Sequence, residues 1–248
     1  VIYFRRGNKV RAMTGTLLGL LLLGTTLSGC LYPGEQKQTA VNYRESVKRI
    51  QAAVDDYQQE EGLLPILNAD EDTPKYEKFR IDLDKLNKKG YLDELPATAF
   101  EKGGSAYFLI LDEETNPVVK VMDLVTFQKV NDVQRQINRY KSAHGGNLPA
   151  AEELYPGLYT IDTDKAGTGS ITLTSVYSGQ PLEFIMDKDG VVYVDYIFDI
   201  MTVVNKNENG QDMSKDLRLL LEHSSYFVPV KSLPYLWLNS QPVPQPQS

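Results

Sequence analysis

The sequence predicts an α+β fold: two tandem repeats of an amphipathic helix packed on a small antiparallel sheet, then a C-terminal helix and an extended tail. Three observations predict it. Ile81-Asp82-Leu83-Asp84-Lys85 recurs as Ile161-Asp162-Thr163-Asp164-Lys165. A helical pattern precedes each copy, and two apolar runs joined by an acidic turn follow each.

The first helix carries Tyr43, Val47, Ile50, Val54 and Tyr57, spaced 4, 3, 4, 3. The second carries Phe127, Val130, Val133, Ile137 and Tyr140, spaced 3, 3, 4, 3. Either spacing keeps one apolar stripe on one face. Gly62 and Gly145 stand where a left-handed cap ends a helix, and Pro65 and Pro149 bar its resumption. Each IDxDK joint then leads to a hairpin: Ala106 to Asp123 in the first copy, Pro181 to Tyr196 in the second. Asp189-Gly190 is a strong tight-turn signal. Asp112 aligns with Asp187 and Asp123 with Asp195. The offset between copies falls from 83 at the helix tyrosines to 72 at the last aspartates. Loops tolerate length change and cores do not, so this drift fits a duplication. The modules are expected at 43–124 and 125–200, with a C-terminal extension at 201–248.

That extension should hold a short helix from Lys215 to His223, capped by Ser214. The apolar segment after it should be extended, with Pro229 and Pro234 keeping it out of a central strand. Its tyrosines, phenylalanine and tryptophan, Tyr226, Phe227, Tyr235 and Trp237, are candidate anchors for a partner, because aromatic side chains concentrate interface energy. The final residues, "SQPVPQPQS", should be disordered.

The N-terminus predicts where the chain lives. Arg5, Arg6, Lys9 and Arg11 form a basic start, and Met13 to Cys30 contains no charge. The apolar core, Leu17 to Leu23, is short for a bilayer span and reads as a signal-peptide segment. Leu27-Ser28-Gly29-Cys30 resembles a lipobox. Residues 1–29 would then be a lipoprotein signal peptide, removed to leave Cys30 carrying a diacylglyceryl group. Residues 30–42 would be the lipidated cysteine and a linker. Cys30 is the sole cysteine, and a thioether removes the liability of a free exported thiol. Losing residues 1–29 takes the net charge from −7 to −11, so the anchor acts as a tether for an acidic domain. The expected location is the outer face of the cytoplasmic membrane.

The lipobox, the following "LYPGE", the helix–YxxxxGxLP–IDxDK module and "FVPVKSLPY" together resemble the YphF-like lipoprotein family of Bacillus-type bacteria. That resemblance implies a Gram-positive cell and brings no activity with it. Each module separately is similar to the head of type II secretion pseudopilins, over about 25 residues. The prepilin cleavage pattern and hydrophobic stalk are missing.

Composition narrows the chemistry. A net charge of −7 speaks against nucleic acid as a partner. With two histidines, His144 and His223, and one cysteine, no zinc site, other metal centre, cofactor or catalytic triad is expected. The D-x-D pairs read as local caps, with Asp84 as the N-cap of a turn at "KLNKKGYL" and Asp164 serving a turn at "KAGTGS". Asp70, Glu71 and Asp72 read as a solvated loop, and "DKDG" as a hairpin turn without the later glutamate of a calcium loop. The expectation is a membrane-anchored, non-catalytic binding or scaffold protein with an unidentified protein or cell-wall partner. The alternative is a cell-wall hydrolase or glycan-binding enzyme using Asp82/Asp84 or Asp162/Asp164, which must then converge in an open cleft. An importer's substrate-binding protein fits poorly, since the βαβ alternation of such folds is missing.

Overall fold

Among the described residues from 41 onward, two helix-on-sheet segments are joined by a tail that pairs with both. The structure, a computed structural model, describes residues 34–206 and 212–246. Contacts divide the chain into units Val1–Ala40 and Val41–Ser248, and the packing below is that of the second. The signal peptide, Cys30 and its lipobox residues Leu27, Ser28 and Gly29 lie outside the described residues. The expected linker is helical from Gly34 onward, because α1 spans Gly34–Glu61. Proline and glycine at its head permit a helix start as readily as a linker.

The stripe on α1 behaves as its spacing predicts: Tyr43, Val47, Ile50, Val54 and Tyr57 are all buried. They pack on Phe108, Ile110, Val119 and Val121. Those residues come from β1 (Ala106–Leu111) and β2 (Val118–Asp123), an antiparallel hairpin. Between helix and hairpin lies α2 (Leu83–Lys88). The opposite face of the hairpin presents Leu109, Leu111 and Met122, which pack with Val228 and Val230 of the tail. A near-continuous apolar strand sequence is what burial on both faces requires.

The second segment begins with α3 (Leu124–Ala143). Val130, Val133 and Ile137 are buried, while Phe127 and Tyr140 at the ends of the stripe are half-buried. A four-stranded antiparallel sheet follows, ordered β3-β4-β7-β8: β3 (Ala150–Tyr155), β4 (Leu158–Ile161), β7 (Phe184–Asp187) and β8 (Val192–Val194). The turn α4 (Thr163–Ala166) and a small hairpin, β5 (Leu173–Thr174) with β6 (Pro181–Leu182), are inserted between β4 and β7. At the β7–β8 turn Gly190 has φ +86°, and a Cβ there would come within 2.7 Å of Leu148 Cδ2. The positive φ selects glycine, and a Cβ would also have to push the Leu148 side chain aside.

Matching hydrogen bonds recur in the two segments. Gln51 on α1 accepts from Val119 N at 2.7 Å and donates to Pro117 O at 3.0 Å. Gln134 on α3 accepts from Val192 N at 2.8 Å and donates to Gly190 O at 2.7 Å. Asp82 N and Asp162 N each donate to the carbonyl of the proline that follows their helix, Pro65 and Pro149, both at 2.8 Å. Gly62 and Gly145 have φ +68° and +63°. These bonds set Val119 opposite Val192, 73 positions apart. Asp195 therefore aligns with Met122, one place from the sequence match with Asp123. Each aspartate still accepts the N–H two residues on, from Val125 and Ile197. In both segments the next helix starts five residues beyond the glutamine-bound valine, α3 at Leu124 and α5 (Ile197–Lys206) at Ile197, so Asp195 stands one place further from its helix than Asp123 does.

The tail departs from expectation. Its helix is α6 (Arg218–Ser224), with Leu217 at the N-cap and no side-chain cap bond. Ser214 instead bonds Asp212. The boundary expected at residue 200 falls inside α5. Val121 N donates to Tyr226 O at 2.8 Å, Val228 N donates back to Val121 O at 3.0 Å, and Val194 N donates to Lys231 O at 2.8 Å. One extended segment thus pairs with the last strand of each hairpin. The terminal residues expected to be disordered form β10 (Gln241–Pro244), paired with β9 (Tyr235–Leu238). Pro242 and Pro244 are two apart, so both missing N–H groups fall on the edge away from β9.

Candidate functional site

The aromatic residues offered as partner anchors are packing residues. Tyr235 is 0% exposed, and Tyr226, Phe227 and Trp237 are half-buried against the cores. Phe227 meets Tyr43 edge-on at 5.0 Å. Tyr235 donates to Asp195 Oδ1 and accepts from Tyr196 N, both at 2.8 Å. Asp195 also accepts from Tyr155 Oη at 2.9 Å. Burial and the Asp195 carboxylate raise the Tyr235 hydroxyl well above its ordinary value. The four aromatics also divide between the two cores, so no single surface gathers them.

The D-x-D pairs split. Asp82 caps α2 by accepting Lys85 N at 2.9 Å, and Asp162 caps α4 by accepting Lys165 N at 3.1 Å. The first residue of each pair is the cap, where Asp84 was expected to cap its turn. Asp84 and Asp164 are exposed. The Lys165 side chain, 2.7 Å away, holds the Asp162 carboxyl below its ordinary value. One capping and one solvated carboxylate per pair is not the convergent geometry that the hydrolase reading needs. Asp70 closes a turn through its carbonyl, accepting from Thr73 N. Asp187 accepts from Asp189 N and Val191 N within its own turn. His144 is exposed, stacked on Tyr140 with centroids 3.8 Å apart, and His223 is exposed too.

A cleft of about 260 Å³ lies between the 74–77 loop, α3 and the tail. Its three cations are already paired: Lys75 with Glu222, Arg218 with Asp216, and Lys231 with Glu77. A larger cleft, about 590 Å³, lies between the β5–β6 loop, α5 and the end of α6. Two buried polar atoms of residues that line it are unpaired, the Tyr177 hydroxyl and one Asp199 carboxylate oxygen. Asp199 is in the first turn of α5 and 1% exposed. Its Oδ2 accepts from Ser175 Oγ at 2.7 Å, while its Oδ1, buried, has no partner. Ser175 Oγ in turn accepts from Tyr177 N and Ser178 N, locking the loop as a serine turn. Burial pushes the Asp199 carboxyl up, and the Ser178 and Ser175 hydroxyls partly offset that. Phe198, 54% exposed, lines the same cleft with Thr202, Gln180 and Lys206.

Sequence reasoning missed Asp199. Its signal was an acid inside the apolar run "YIFDIMTVV", an expensive placement unless a partner compensates it. The partner, Ser175, is 24 residues away on a separate loop.

Fold and site define an α+β protein with a polar cleft between the β5–β6 loop, α5 and the end of α6. Residues 43–123 match the family model described as the YphF family N-terminal domain. Residues 43–123 are thus similar to that domain, and the match ends where β2 gives way to α3. No curated protein and no solved structure matches the chain. The likeness to pseudopilin heads carries no argument. Among the described residues, no helix is long and apolar enough to cross a membrane.

Proposed function

We infer that this is an exported, lipid-anchored binding protein without catalytic activity. Cys30 carries the diacylglyceryl anchor on the outer face of the cytoplasmic membrane, and the Asp199 cleft holds the ligand. The 43–124 and 125–200 segments are copies of one module, a reading supported by their matching glutamine and aspartate bonds. The observation that carries the binding reading is the buried Asp199 Oδ1, left without a partner in a residue that lines an open cleft. A buried polar atom without a partner costs about 1–3 kcal/mol, and a ligand that donates to it recovers that cost. The non-catalytic reading is supported by Ser175, whose hydroxyl is occupied by one carboxylate and two backbone N–H groups. It has no free geometry for nucleophilic attack.

Cells expressing the chain and fed an alkyne palmitate test the anchor. The wild type should label and sediment with membranes, and Cys30→Ala should do neither. A Cys30→Ala chain that still labels would refute the anchor.

A further inference from the structure

The cleft at Asp199 also constrains what enters it. Two buried atoms of its lining lack partners: the Tyr177 hydroxyl, which can donate or accept, and an Asp199 carboxylate oxygen, which needs a donor. Lys206, on the same helix, lines the same space, so a cationic ligand meets a like charge. An anionic ligand meets Asp199. An apolar one leaves Oδ1 unpaired and forfeits the reason to bind. What remains is a neutral ligand rich in hydroxyl or amide donors. Phe198 narrows it further. Residues 198, 202 and 206 follow one another at helical steps of four along one face of α5. They set an aromatic ring, a hydroxyl and an ammonium in a row along the mouth. An exposed ring beside polar groups suits a ligand with an apolar C–H face and a polar edge. The volume of about 590 Å³ falls within the range of small-ligand sites.

We propose that this cleft binds a neutral saccharide. One ring hydroxyl donates to Asp199 Oδ1, the C–H face rests on Phe198, and Lys206 and Gln180 donate to the outer oxygens. This rests on the reading of the cleft as the binding site.

Calorimetric titration of the purified full chain tests it, with chitotetraose and maltotetraose against spermidine and succinate. At least one tetrasaccharide should bind, Phe198→Ala should weaken it about tenfold, and Asp199→Ala should abolish it. Phe198 is exposed, so its replacement leaves the fold intact even if the Asp199 variant does not fold. Saccharide binding that ignores both substitutions overturns the proposal. Spermidine binding lost in Asp199→Ala overturns the saccharide while leaving the cleft as a binding site. Wild-type protein that binds none of the four probes overturns the proposal as well.

Discussion

Replacing Tyr235 with phenylalanine removes one oxygen atom and leaves the ring in place. That oxygen joins the tail to the second segment, donating to Asp195 and accepting from the Tyr196 N–H, both at 2.8 Å. Asp195 keeps its bonds from Tyr155 and Ile197, so it loses one charge-assisted donor, worth about 1.5–3 kcal/mol. The Tyr196 N–H has no other partner and is left buried, a cost of about 1–3 kcal/mol. The two effects share one site, so about 3 kcal/mol is expected for the pair. For a chain of this size that lowers Tm by roughly 6–12 °C and the urea midpoint by about 1 M with m unchanged. Urea melts of wild type and Tyr235→Phe, followed by circular dichroism, measure it. A loss below about 0.5 kcal/mol is the surface-residue range. That result would refute the assignment of Tyr235 as a buried bolt and return it to the candidate surface.

Three further predictions follow from the same hydrogen-bond frame. Gln51→Ala and Gln134→Ala each strip two bonds from a hairpin edge and should cost a similar amount, about 2 kcal/mol; a difference above about 1.5 kcal/mol between their melts would speak against equivalent joints. Asp82→Ala should lose about 1 kcal/mol as a missing N-cap, whereas Asp84→Ala should be near neutral in the same denaturation assay. Asp199 has its folded carboxyl pushed above the unfolded value, so the native state holds the proton more tightly and its contribution to stability declines as pH rises through the folded value. Asp199→Asn should therefore stabilise the protein most at neutral pH and flatten the stability–pH curve above pH 4; an unchanged slope would show that Asp199 is not held out of water.

Much of the fold was legible because helix stripes and turn residues are local. The spacing from Tyr43 to Tyr57 and the paired glycine–proline steps needed no tertiary knowledge, and α1, α3 and both hairpins formed where that spacing put them. The aspartate match slipped by one residue, since a sequence alignment cannot see that Gln51 and Gln134 pin the strands 73 positions apart. The candidate site was not legible. Asp199 and Ser175 belong to different elements, and nothing in either neighbourhood announces the other.

The sequence by itself determined the α+β class, the two helix-on-hairpin segments and the joint at each IDxDK. Those depend on periodicity and on residues that bond within a few positions of themselves. Tertiary structure alone decided the fate of the tail. Val121 and Val194 offer open strand edges, and the 226–231 segment pairs with both. An unpaired edge and an apolar segment attract one another whatever their separation in sequence. That pairing buried Tyr235 and half-buried Tyr226, Phe227 and Trp237 against the two cores.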